Sequence, residues 1–176
     1  MHALRRLKRF RRDERGNVTI EFVIWFSVVF MLLASGIEIA YMNLRHAMLE
    51  RAVDVAVRDI RLGTGTPPDY EAVRENICRI AEIVQDCNGN LTLEMIQVSP
   101  RDLVGFTEAA DCRNVEEEPR PVRNFAAGVD NQMMLLRACM SFEPVFPTIG
   151  MGANLHHDEQ GYSWLVAKSA FVQEPR

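Results

Sequence analysis

A chain of 176 residues holds one modest domain plus an appendage, and its hydrophobic residues, 48% of the total, are unevenly spread. Charge is uneven too. Residues 1–16 set Arg5, Arg6, Lys8, Arg9, Arg11, Arg12 and Arg15 against Asp13 and Glu14, a net of +5, while the other 13 Lys/Arg and 22 Asp/Glu give −9. An acidic body repels nucleic acid and a basic head this short is no reading domain, so a nucleic-acid partner is excluded.

From Phe22 to Ile37 the chain reads FVIWFSVVFMLLASGI, with no charge; Glu38 interrupts, then IAYM continues. Crossing hydrocarbon takes roughly 20 residues. Residues 20–42 supply that length if Glu38 lies near the far interface, with Tyr41 as an interfacial anchor. A cleavable secretory signal has a shorter core followed by a small-residue site, and no such site follows here. A twin-arginine export signal is a rival, but these arginines form a cluster rather than a pair in context. The reading is a basic cytoplasmic leader over 1–16, a transmembrane helix over 17–42 and an exported body over 43–176. Basic residues before the span put the N-terminus in the cytoplasm.

The helical pattern continues beyond the span. Residues 43–62 lack Gly and Pro, and Leu49, Val53, Ala56 and Ile60 repeat every 3.6 residues, with Leu44, Met48, Ala52 and Val55 beside them. One helix is therefore predicted over about 18–62, ended by Gly63-Thr64-Gly65. A second helix is predicted over about 67–84, with Thr66 as N-cap, Pro67 in the first turn and Asp69 at the capping-box position. Its buried stripe is Tyr70, Val73, Ile77, Ile80 and Val84. Asn88-Gly89 marks a turn. Strands follow over 91–98, 133–143 and 163–173, separated by a polar excursion at 105–131 and a Gly-rich, His-containing loop at 147–161. The fold class is α+β: a small antiparallel sheet of about three strands, one face covered by the water-exposed half of the long helix.

Cys78, Cys87, Cys112 and Cys139 are an even set in a body read as exported, which points to two disulfides. Three connectivities are possible. Cys78–Cys87 with Cys112–Cys139 is favoured. Nine helical steps would part the first two by roughly 13 Å, so that pair requires the second helix to end by about residue 82. The second pair would staple the excursion to the middle strand. The spacing is not that of a zinc site.

No active site emerges. His156-His157-Asp158-Glu159 is the one cluster of ligand-type residues, and a solvated loop explains it better than a metal. Ser163 and Ser169 lack a nucleophile-elbow context, and Gly150-Met151-Gly152 is no phosphate loop. A non-enzymatic role without a cofactor or metal is expected.

The stretch ERGNVTIEF resembles the type IV pilin-like processing signal: a basic leader, Gly16, then Glu21 five residues after the cut and Phe22 beside it. A helix that starts in the bilayer and becomes the spine of a small sheet domain is likewise pilin-like. More narrowly, the chain resembles the TadE-like minor pilins (pseudopilins) of the tight-adherence, or Tad, pilus system. The segment ICRIAEIVQDC before a strand, the central strand LLRACMSFEPVFP and the ending AKSAFVQEPR carry that likeness. The 105–131 excursion, the His-containing loop and the final Arg176 depart from it.

The resemblance implies cleavage between Gly16 and Asn17 by a membrane prepilin peptidase, on the cytoplasmic side. Glycine leaves the bond open to the protease. The resemblance also assigns assembly to Glu21, paired with the new amine of Asn17 on the same or a neighbouring subunit, with Phe22 beside it. Implied partners are the prepilin peptidase, other Tad pilins and pseudopilins, the inner-membrane assembly platform and the lipid bilayer. The implied role is assembly of an adhesive pilus in surface attachment and biofilm formation. The implied location is the bacterial inner membrane, with the body periplasmic, or the extracellular pilus. The alternative is an uncleaved single-pass protein with an exported binding or sensing domain. Glu38 carries no motif and is read as an interface residue.

Overall fold

The structure, a computed structural model, describes residues 17–62, 68–82, 86–101, 110, 112 and 125–175. Helix α1, Asn17–Leu62, runs unbroken for 46 residues, about 69 Å at the α-helical rise. It divides into two parts by burial. Every residue from Val18 to Leu33 is exposed. From Ala34 onward a stripe of Ala34, Glu38, Arg45, Leu49, Ala52, Val53, Ala56, Val57 and Ile60 is buried, at the three- and four-residue steps of one helix face. Leu44 and Val55, expected beside that stripe, are 45% and 38% exposed and lie off it.

Helix α2, Tyr70–Ile80, is shorter than predicted at both ends. Asp69 is its N-cap, and the Asp69 carboxylate accepts the Ala72 N–H at 3.3 Å. The physical reason lies in Pro67-Pro68: a residue before proline is pushed out of the α region, which disfavours a helix that starts at Pro67. Thr66, expected to cap, lies outside the described residues. At the other end Ala81 leaves helical geometry, which lets the chain turn back to Cys87 and the one-turn helix α3, Cys87–Asn90. That single turn occupies the place of the expected Asn88-Gly89 turn.

Strands β1 (Leu91–Gln97), β2 (Met133–Phe142) and β3 (Ser163–Val172) form an antiparallel sheet in the order β1-β2-β3. Each ends one residue earlier than predicted. The register sets Leu93 opposite Ala138 and Ala138 opposite Ala167. Leu91, Leu93 and Met95 alternate with half-buried neighbours along β1, whereas β2 is buried along nearly its whole length. Central β2 is therefore covered on both faces, and the outer strands on one.

The helices form one layer. α1 packs along β3 and against α2, and α2 lies over β1. The core between layers is Leu49, Val53, Ala56, Ile77, Leu93, Met95, Leu136, Met140 and Phe171, with their neighbours. Both sheet edges are occupied. Tyr70 Oη accepts the Leu93 N–H at 3.5 Å, and the Ala126 N–H donates to the Met95 carbonyl at 3.0 Å. On the β3 side, His46 Nε2 lies 3.3 Å from the Val166 carbonyl and Ser169 Oγ donates to Asp54 at 3.3 Å.

Candidate functional site

Of the predicted processing and assembly residues, Asn17, Glu21 and Phe22 lie at the start of α1. Gly16 lies outside the described residues, and Asn17 is the first residue of the helix. Glu21 is exposed one turn further on. Because Cα–Cβ bonds tilt toward a helix N-terminus, its carboxylate leans toward the start of α1, about 5.4 Å of helix below. The N-terminal end of an α-helix is the positive pole of its dipole. Phe22 is 64% exposed and opens a ladder of rings, Phe22 on Phe26 at 5.6 Å and Phe26 on Phe30 at 6.1 Å. Trp25, Val29, Leu32 and Leu33 are also exposed. This is a helix long and apolar enough to cross a membrane, with one carboxylate near its beginning.

At the other end of the apolar run the structure adds what the sequence does not. Glu38, expected as an interface residue, is 2% exposed. One carboxylate oxygen accepts the Val145 N–H at 3.1 Å and the other the Phe146 N–H at 2.8 Å. Among the described residues no Lys or Arg pairs with Glu38, so these two donors compensate its burial. One turn earlier, Ser35 Oγ accepts the Met151 N–H at 3.2 Å. The chain after β2 is thus pinned to α1. Gly150, at φ +61°, and Gly152 permit it: a Cβ on Gly150 would press on Ser35 Oγ, and one on Gly152 would collide with the Phe146 carbonyl. Two turns beyond Glu38, Arg45 is 8% exposed. It donates to the Glu143 carbonyl at 3.3 Å and lies over the Tyr41 ring at 4.2 Å.

The cysteines form two disulfides, Cys78–Cys87 and Cys112–Cys139, with Cα separations of 5.6 and 5.3 Å. The first ties α2 to α3. The second ties the excursion to β2, on the sheet face opposite the helices. Also on that face Arg137 Nη2 meets Glu94 Oε2 at 2.8 Å, across the β1–β2 register.

The ligand-type cluster at 156–159 is dispersed among unlike partners. His156 sets its edge against Trp164 at 5.1 Å, and His157 Nδ1 lies 3.2 Å from Ser163 Oγ. Asp158 accepts the Gln160 and Tyr162 N–H groups at 3.0 and 2.7 Å and closes a turn. The C-terminal ending has a structural task that no sequence signal gave it. Gln173, 1% exposed, donates to the Ile60 carbonyl in the last turn of α1 at 3.4 Å, and Glu174 pairs with Arg61 at 3.1 Å.

Comparison with known proteins places one of these regions. The family model of TadE-like proteins matches residues 16–58. The TadE-like resemblance is thereby shown over the segment that opens with Gly16, spans the apolar run and reaches into the buried half of α1. No curated protein and no solved structure matches the chain. A TadE-like segment associates the protein with Tad pilus components.

Proposed function

We propose that this protein is a minor pilin, or pseudopilin, of a Tad-type adhesive pilus. In this reading a prepilin peptidase removes residues 1–16 at the cytoplasmic face. The mature chain begins at Asn17, sits in the inner membrane through the first half of α1, and holds its body in the periplasm before it joins or primes the fibre. The role is structural rather than catalytic, and it serves attachment and biofilm formation through contacts with other Tad pilins and the assembly platform.

The observation that carries the reading is the division of α1. One unbroken helix has an exposed apolar first half and a second half that forms the spine of the folded body, and the TadE-like match covers the junction. Such a subunit leaves the bilayer only if neighbouring helices replace lipid around residues 18–33. Glu21 gives those neighbours a directional signal. A carboxylate in hydrocarbon is costly alone and less so beside a cation, and cleavage would create an amine on Asn17.

The test is a strain that lacks this protein and is complemented in trans. The wild-type chain is expected to restore surface pili and adhesion. Glu21→Ala is expected to reach the membrane in normal amounts, since it makes the span more apolar, yet fail to restore them. Normal piliation and adhesion with Glu21→Ala would refute the pairing role, and normal piliation in the strain without the protein would refute the pilus assignment.

A further inference from the structure

The segment between Glu143 and Asn154 reads PVFPTIGMGA, ten residues without a charge. It stands out in an acidic body, and it is the segment clamped to α1 by Ser35 and Glu38. We infer that residues 144–153 form a collar embedded in the outer leaflet of the membrane, around the exit point of α1. The inference rests on the reading of α1 as a membrane span.

Depth is the first argument. With Val18 at the inner edge of the hydrocarbon, a helix reaches the outer edge about 30 Å later, near residue 38. Gly150 sits lower than that: a Cβ built there would lie 3.6 Å from the Met31 carbonyl oxygen and against Ser35. Met31 and Ser35 lie about 5–10 Å of helix below Glu38. The collar therefore reaches a level that lipid occupies.

The second argument is chemical fitness for that level. Irregular backbone is tolerated in hydrocarbon only where its polar groups are satisfied within the protein. Pro144 and Pro147 have no N–H to satisfy. Glu38 takes those of Val145 and Phe146, and Ser35 takes that of Met151, so half of the ten residues present no unpaired N–H to lipid. This explains why a carboxylate stands at the end of an apolar run. It is covered by the collar it holds rather than facing lipid.

The third argument is continuity. Val145 and Met151 are 45% and 41% exposed, and Val145 shares a surface depression with Ile37 of the exposed apolar stripe. Above them Tyr41, half-buried, stands where an interfacial ring belongs, with the buried Arg45 guanidinium stacked on it. A surface continuous with the lipid-facing stripe, at the same depth, takes the same solvent.

The experiment uses the full chain reconstituted in vesicles of phosphatidylcholine and phosphatidylglycerol. A single added cysteine carries an environment-sensitive fluorophore at Val145→Cys, Met151→Cys, Val28→Cys or Val172→Cys. The native cysteines are paired in disulfides, and Val172 stands at the far end of β3. Nitroxide-labelled lipids are expected to quench positions 145 and 151, shallow labels more than deep ones, and to quench Val28→Cys, while iodide quenches only Val172→Cys. If Val28→Cys is quenched by lipid but 145 and 151 by iodide, the collar inference falls and the span stands. If Val28→Cys also escapes lipid quenching, the span reading falls and takes the collar with it. Shielding of 145 and 151 from iodide only when a second pilin is added would also overturn the inference, in favour of a protein partner.

Discussion

Replacing Glu38 by alanine exposes the clamp to direct measurement. The carboxylate is 2% exposed and accepts two backbone N–H groups, at 3.1 and 2.8 Å. Hydrogen bonds to a charged group contribute roughly 1.5–3 kcal/mol each, and buried donors left without a partner add their own penalty. Water reaching the vacated space returns part of that loss, so Glu38→Ala should weaken docking of residues 145–152 by about 3 kcal/mol. At about 1.4 kcal/mol per tenfold, this is roughly a hundredfold rise in the opening equilibrium of the segment. Hydrogen exchange read by mass spectrometry on the detergent-solubilised chain reports it directly. Peptides covering Val145 to Gly152 should lose protection, while peptides from β2 and β3 should keep theirs. Glu38→Gln retains one acceptor oxygen and should fall between wild type and Glu38→Ala. Exchange within about twofold of wild type in Glu38→Ala, a difference of under about 0.5 kcal/mol, would refute the clamp.

Two further outcomes follow from the body. Replacing Cys112 and Cys139 by serine should destabilise the domain to urea more than replacing Cys78 and Cys87. The loops closed span 27 and 9 residues, worth about 3.5 and 2.5 kcal/mol by chain entropy; equal midpoints for the two double variants would contradict this. At the C-terminal ending, Gln173→Ala should cost about 1 kcal/mol, because it removes a buried donor from the Ile60 carbonyl. Arg61→Ala should change stability by under about 0.5 kcal/mol, since its pair with Glu174 is half exposed; a larger loss for Arg61→Ala than for Gln173→Ala would reverse the assignment.

Features written in local periodicity were legible in the sequence. α1 is announced by an uncharged run followed by a 3.6-residue apolar repeat, and β1 by alternation closed at Ser99-Pro100. The favoured cysteine pairing is a preference that carries a condition, that Cys78 can reach Cys87 only if α2 ends between them, and α2 stops at Ile80. At the start of α2 both Thr66 and Asp69 carry capping side chains, and the backbone restriction of consecutive prolines favours Asp69. What local pattern cannot show is a contact between distant residues. Glu38 bonds to residues 107 and 108 positions away, and Gln173 to one 113 positions away. The TadE-like match, over residues 16–58, begins at Gly16.

The proposed function turns on whether the chain is cut between Gly16 and Asn17. The full-length protein should be produced with and without its prepilin peptidase, purified from membranes, and its N-terminus read by intact mass and sequencing, alongside a Gly16→Val variant. The account predicts Asn17 as the first residue only when the peptidase is present, and an uncut Gly16→Val chain under the same conditions. Met1, or any start other than Asn17, in the presence of an active peptidase would contradict it and leave an uncleaved single-pass protein.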